Sequence, residues 1–307
     1  MFARILVPID FSGPSDAALE YARLFAHAWG SALHLLHVTA EHLTPPHGES
    51  AGHPEPAALR QIRDRLTDDD RRRRLAIRVL ERAEPAEAIL GYARATDIDL
   101  IVMGTHGRTG VAHLLMGSVA ETVVRSAPCP VLTVRQAPRV TAPFTRILVP
   151  TDFSGPSDAA LDCARALQMK FGASIHLLHV LADEQLAGPF GAEVFVAEAP
   201  ETRTARLRDA RERLSHRVSA ADREQGRVTS EILFGPTAST IVHYAGDNGY
   251  DLILMGTHGR TGLAHLLMGS VAERVIRSAA CPVITTHSER PCVGVPAGAL
   301  AEAATAS

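Results

Sequence analysis

The sequence predicts an α/β fold made twice: two repeated doubly wound domains, each a five-stranded parallel sheet of order 3-2-1-4-5 with helices on both faces. Three observations carry that expectation. Short apolar runs alternate with stretches of helical periodicity, the pattern of a parallel sheet with right-handed crossovers. The thirteen residues 4–16, RILVPIDFSGPSD, return over 146–158 with one change, Ile9 against Thr151. The 19 residues Met103 to Glu121 return as Met255 to Glu273, again with one change, Val111 against Leu263. A repeat of this length marks a duplicated structural unit.

In the first half, Arg4 to Pro8 is a short apolar run and reads as the first strand. Pro14 then suits the first turn of a helix running to about Trp29, with Asp16 favourable near its positive end. Ala32 to Val38 is the second strand. Residues 40–56 are rich in Pro, His and Gly and read as a loop. A charged helix is expected from about Ala57 to Arg73, a third strand over Leu75–Leu80, a helix over Ala86–Ala95 and a fourth strand over Asp99–Met103. A glycine-rich loop leads to a short helix ending near Ser126, and Pro130–Val134 is the last strand. The strand words repeat at an offset of 142 and the glycine motif at 152, so the second half gains ten residues between Val180 and Gly256. The loop after the second strand is the expected place. The domains read as 1–138 and 144–288. The remaining 289–307, rich in Ala, Gly and Pro, reads as a disordered tail.

Composition narrows the function. Of 307 residues, 46% are hydrophobic and 21% charged, and the formal net charge is -3, which gives no broad electrostatic case for nucleic acid. Without an 18-residue apolar run no membrane span is expected, and the first ten residues read as a strand rather than a signal peptide. The four cysteines show no metal-ligand spacing. They read as reduced thiols in a cytoplasmic protein. The run Asp68 to Arg74 is expected to be a solvated helix face, its charges cancelling in the i,i+4 pairs Asp68–Arg72, Asp69–Arg73 and Asp70–Arg74.

In a sheet of this order strands 1 and 4 are neighbours at the switch point, and ligands bind beyond their carboxyl ends. Strand 1 ends at Pro8-Ile9-Asp10 and strand 4 at Met103-Gly104. The two most repeated stretches therefore meet in one cleft. Asp10 is placed to accept hydrogen bonds from ribose hydroxyls or to hold a metal, or else to cap the following helix. Val38 ends the adjacent strand and is placed to line an adenine slot. Gly104, Gly107, Gly117 and Ser118 suit a polyphosphate, because glycines admit close backbone approach and a helix start carries partial positive charge. A tight turn with close helix packing is the competing explanation for the glycines. No P-loop and no G-x-G-x-x-G fingerprint are present.

The spacing G-x2-G-x9-G-S with a strand-1 Asp resembles the universal stress protein family in its tandem form, over about 3–135 and 145–287. The resemblance implies that the ligand is ATP, with Mg as an optional companion. It implies that amides around Gly104, Gly107, Gly117 and Ser118 hold the phosphates. Asp10 and the Ile9 main chain would meet ribose and adenine, with Val38 against the base and Pro8, Met103 and Val119 alongside. The matching positions in the second half are Pro150, Thr151, Asp152, Val180, Met255, Gly256, Gly259, Gly269, Ser270 and Val271. One departure is Ala83, where the family has the glycine kept at Gly235. Arg108 and Arg260 are phosphate candidates because a guanidinium matches phosphate oxygens. His106, His258, His113 and His265 have no ligand partners at recognised spacing, so no metal site is assigned.

The expectation is thus an ATP-binding stress-response protein, regulatory or protective, with two ATP per chain. Nothing in the sequence resembles a general base with an orienting partner. No catalytic residue is assigned, and the alternative is a slow ATP hydrolase or nucleotide-transfer enzyme using Asp10 or His106. The resemblance also implies an intramolecular pseudo-dimer through the last strands, Val131–Val134 and Val283–Thr286, and admits a homodimer. The longer second-half loop, including 187–191, is placed to cover the second site. No nucleic acid or membrane partner is expected, and the protein partner is not specified.

Overall fold

The computed structural model describes residues 1–39, 57–72, 74–81, 83–105, 116–135, 144–182, 185–187, 193–195, 199–219, 222, 226–257 and 268–287. These fall into two compact units, one over Met1–Pro143 and one over Phe144–Leu263 with Met268–Ser288.

In the first unit β1 (Arg4–Pro8) leads to α1 (Gly13–Trp29), β2 (Ala32–Thr39), α2 (Ala57–Asp64), α3 (Asp68–Arg72), β3 (Leu75–Glu81), α4 (Pro85–Ala95), β4 (Leu100–Gly104), α5 (Ser118–Ser126) and β5 (Val131–Val134). All pairings are parallel, in the order β3-β2-β1-β4-β5. This is the expected order, and each strand lies within a residue or so of its expected bounds. The strands are apolar on both faces, and Ile5, Leu6, Val7, Leu100, Ile101 and Val102 are fully buried, because helices cover both sides. The reversal of direction after β3, with right-handed crossovers, puts α1–α3 on one face and α4 and α5 on the other. Accordingly α4 packs on α5.

Local chemistry sets the ends of α1. Ser12 caps it by accepting the Ser15 amide, Pro14 sits in its first turn, and Gly30 ends it at φ 67°, where a glycine carries no Cβ penalty. The carboxylate of Asp99 accepts the Ala3 and Arg4 amides at 2.9 and 2.8 Å, tying the start of β1 to the lead-in of β4.

The second unit repeats the plan: β6 (Arg146–Pro150), α6 (Gly155–Phe171), β7 (Ser174–Leu181), a short antiparallel pair β8 (Gln185–Ala187) and β9 (Glu193–Phe195), α7 (Pro200–Arg217), β10 (Val228–Phe234), α8 (Thr237–Asp247), β11 (Leu252–Gly256), α9 (Ser270–Ser278) and β12 (Val283–Thr286). Its sheet runs β10-β7-β6-β11-β12, all parallel. Buried Ala210 and Leu214 match buried Ala58 and Ile62 at offset 152, so the extra residues enter between β7 and α7, where β8 and β9 lie.

Three expectations need correction. The helix from Ala57 to Arg73 is two helices, because Thr67 caps α3: its amide meets Asp70 Oδ2 at 2.9 Å and its hydroxyl accepts the Asp70 amide. Asp70 is not on a solvated face. Its side chain is 1% exposed and takes the Arg23 guanidinium at 2.6 Å. Burial alone would raise this carboxyl, but the Arg23 and Thr67 hydrogen bonds outweigh it and hold the group below the usual range. The charge run therefore supplies a tertiary ion pair, plus an i,i+3 contact of Arg71 with Asp68. Finally, Cys163 is disulfide-bonded rather than reduced. Cys129 and Cys281 are free, and burial pushes the Cys281 thiol up to about 12, so it stays protonated at neutral pH. No helix among the described residues is long and apolar enough to cross a membrane.

Candidate functional site

The site begins with the turn after β1. Asp10 Oδ1 accepts the Ser12 amide at 3.0 Å and the Ser12 hydroxyl, folding the chain sharply into α1. Phe11, between them, sits at φ 65°, a left-handed backbone that costs a bulky residue energy and persists only when its surroundings enforce it. They do so here. His37 packs on Phe11 with its ring tilted by 36° and centroids 4.5 Å apart, and its Nδ1 donates to the Ile9 carbonyl at 2.6 Å. Arg65 also lies over the ring, 4.9 Å from its centroid, and grips Asp16 at 2.6 Å. The second half repeats the device with Phe153 at φ 67°, His179 on the Thr151 carbonyl and Arg217 on Asp158. Neither histidine was expected from the sequence to have a role. Their signal was the HLLHV word itself, copied whole in both halves.

The turn has already engaged part of the main chain that the resemblance gives to the ligand. The Ile9 amide donates to Leu36 O at 2.8 Å, and its carbonyl, bonded to His37, keeps one further lone pair. The Thr151 hydroxyl, the one difference in this turn, is satisfied by Ser157 and by the Phe153 amide.

The glycines divide by task. A Cβ on Gly104 would lie 2.7 Å from Pro14 Cβ and 2.9 Å from its carbonyl carbon, and Gly256 meets Pro156 in the same way. Close helix packing is therefore sufficient reason for the first glycine of each motif. The Gly117 amide donates to Thr105 O at 2.8 Å, and the Gly269 amide to Thr257 O at 2.9 Å. These amides stitch the loop ends together. The residues of the first turn of α5 and α9, from Ser118 and Ser270 onward, line the two clefts. Neither helix has a side-chain cap, whereas α1 does. An uncapped helix start leaves orphan N–H groups and partial positive charge, which suit an anion. Gly107, Arg108, Gly259 and Arg260, and His106, His113, His258 and His265, lie outside the described residues.

Around these parts the first unit forms a cleft of about 290 Å³, with Pro8, Ile9, Asp10 and Val38 on one side and Met103, Gly104, Gly117, Ser118 and Val119 on the other. Ile89 of α4 and Leu36 of β2 add apolar wall. The second unit forms a cleft of about 450 Å³ lined by Pro150, Thr151, Asp152, Val180, Met255, Gly256, Gly269, Ser270 and Val271. Every expected site residue that is described thus lines its cleft. The second cleft also includes Arg206 and Asp209 of α7, which the sequence analysis missed. At offset 152 their counterparts are Pro54 and Ala57, so the repeat gave no signal. Residues 188–191 of the longer loop lie outside the described residues. Among the described residues no group of three His, Cys, Asp or Glu side chains is placed to hold a metal.

Fold and clefts together define a duplicated α/β protein with a switch-point cleft in each repeat. The sequence profile of the Universal stress protein family matches residues 1–135 and 143–287. The chain belongs to that family, in a tandem form. Two universal stress proteins of Methanocaldococcus jannaschii are 34% and 30% identical to it, over 150 and 151 residues. The alignments cover 48% and 46% of this chain and 84% and 93% of theirs. A crystal structure of a universal stress protein from Archaeoglobus fulgidus shares the fold at TM-score 0.65 and 21% identity, covering 94% of this chain and 99% of that one.

Proposed function

We propose that the chain is an ATP-binding universal stress protein, regulatory or protective in role, with one nucleotide in each half. The observation that carries this reading is the uncapped helix start facing the strand-1 turn across each cleft. Ser118 and the first-turn amides of α5 meet phosphate oxygens, with Arg108 as a further phosphate ligand. Asp10, pinned by its own turn, presents its carboxylate to ribose, and Val38, Leu36 and Ile89 pack on the base. Ser270, Asp152, Val180 and Ile241 do the same in the second half. Mg, where it accompanies ATP, would be held by phosphate oxygens together with Asp10 or Asp152.

The test is mass spectrometry of nucleotide carried through purification, then calorimetric titration of the stripped protein. Two sites per chain are expected. A chain that binds neither ATP nor ADP sinks the proposal. Turnover of bound ATP over hours, with sedimentation in parallel, reports on weak hydrolysis and on a homodimer.

A further inference from the structure

Beside the second-half cleft lies a trough of about 540 Å³ between α8 and α9. Ala182, Thr237, Ser270 and Val271 line both. Its walls carry His243, Arg274 and Arg277, and its described lining residues include no acid. Arg277 also reaches Glu273 at 3.2 Å, so part of its charge is spent within α9. Arg274 is exposed and stands four residues after Ser270, on the same side of the helix and about 6 Å further along it.

The first half differs at the same positions, although Arg125, paired with Glu121, keeps the place of Arg277. Arg274 corresponds to Thr122 and His243 to Gly91, while Pro236 and Ser239 correspond to Glu84 and Glu87. Glu84 caps α4 with its own carboxylate, accepting the Glu87 amide at 3.0 Å. An anion from the protein itself thus occupies that helix start in the first half. The start of α8, after Pro236, has no side-chain cap.

Building on the nucleotide reading, we propose that the second-half cleft continues into an anion subsite made by Arg274, with Arg277 and His243. It takes a phosphate group beyond those of a triphosphate, passed along α9 from Ser270. The second half then favours a nucleotide with a longer phosphate chain, and the first half does not.

The experiment silences the first half with Gly117→Val and titrates ATP and adenosine 5′-tetraphosphate by calorimetry. The expected result is at least a fivefold tighter constant for the tetraphosphate. Arg274→Thr, which installs the first-half residue at an exposed position, should bring the ratio to about one with ATP affinity little changed. The reciprocal Thr122→Arg in a Gly269→Val background tests gain of preference. Equal affinities in the parent, or a ratio that survives Arg274→Thr, would overturn the subsite while leaving ATP binding intact. Failure of both nucleotides to bind would overturn the nucleotide reading and the subsite with it.

Discussion

The strand-1 turns of the two halves are built alike, while the ground around them differs. Both turns hold an Asp that folds the chain, a phenylalanine in left-handed backbone, a histidine on the preceding carbonyl and an arginine bridging to α1 or α6. Away from the turn the halves part. The first half buries an ion pair, Arg23 with Asp70, at 2.6 Å with side chains 18% and 1% exposed. Its counterpart, Arg165 with Asp222, is at 3.7 Å with side chains 38% and 26% exposed. The second half instead brings Arg206 to its cleft and Arg274 to the trough beside it, at positions that read Pro54 and Thr122 in the first half of the sequence. The duplication has kept the device that fixes the backbone of the turn and let the surrounding charges change, buried in an ion pair in one half and lining the cleft and its neighbouring trough in the other.

The largest effect that would break this comparison concerns the ion pairs. Asp70→Ala removes the buried carboxylate but leaves Arg23 its contacts with Glu20 and the Arg65 carbonyl, so it should cost about 3 kcal/mol, the low end for breaking a buried pair. Asp222→Ala, in a looser and wetter pair, should cost no more than about 1 kcal/mol. Urea unfolding of the two variants decides it, and equal losses would erase the contrast. The same pair predicts a pH effect. The folded Asp70 carboxyl lies below its unfolded value of about 3.9, so its contribution is present above that pH and disappears as pH falls through the folded value. Wild-type stability should therefore fall on acidification more steeply than that of Asp70→Asn.

Next come the clefts. Gly117 and Gly269 sit at φ -64° and -62°, backbone that valine adopts readily, so Gly117→Val and Gly269→Val should fold. Each should remove one ATP site, at least tenfold in affinity or about 1.4 kcal/mol. Titrations in which a single substitution abolishes all binding would mean the two clefts are not equivalent. The smallest effect sharpens the contrast: Arg206→Ala should weaken ATP at the second half alone, by about 1 kcal/mol or roughly fivefold. A loss confined to the first half would refute the placement of α7.

Sequence alone resolved the sheet order and the strand bounds, because apolar runs between helical stretches leave few ways to build a parallel sheet. It also brought Asp10, Val38, Gly104 and Ser118 to one cleft. The split at Thr67 was hidden, since it depends on Asp70 turning toward Arg23, 47 positions away. The division of labour among the glycines was hidden too. Nothing in the letters of the motif tells a glycine that clears Pro14 from one whose amide ties a loop.

That tie has a consequence for how the family can vary. Thr105 and Gly117 are joined by a 2.8 Å hydrogen bond, so the chain between them departs from and returns to one point of the cleft rim. Closing such an excursion costs entropy that grows only with the logarithm of its length, about 0.6 kcal/mol per doubling. The scaffold is therefore nearly indifferent to how many residues lie between Thr105 and Gly117. An insertion there should leave the sheet and the α5 start intact while disturbing the proposed phosphate contacts of Gly107 and Arg108, so folding and nucleotide binding can be separated at this rim.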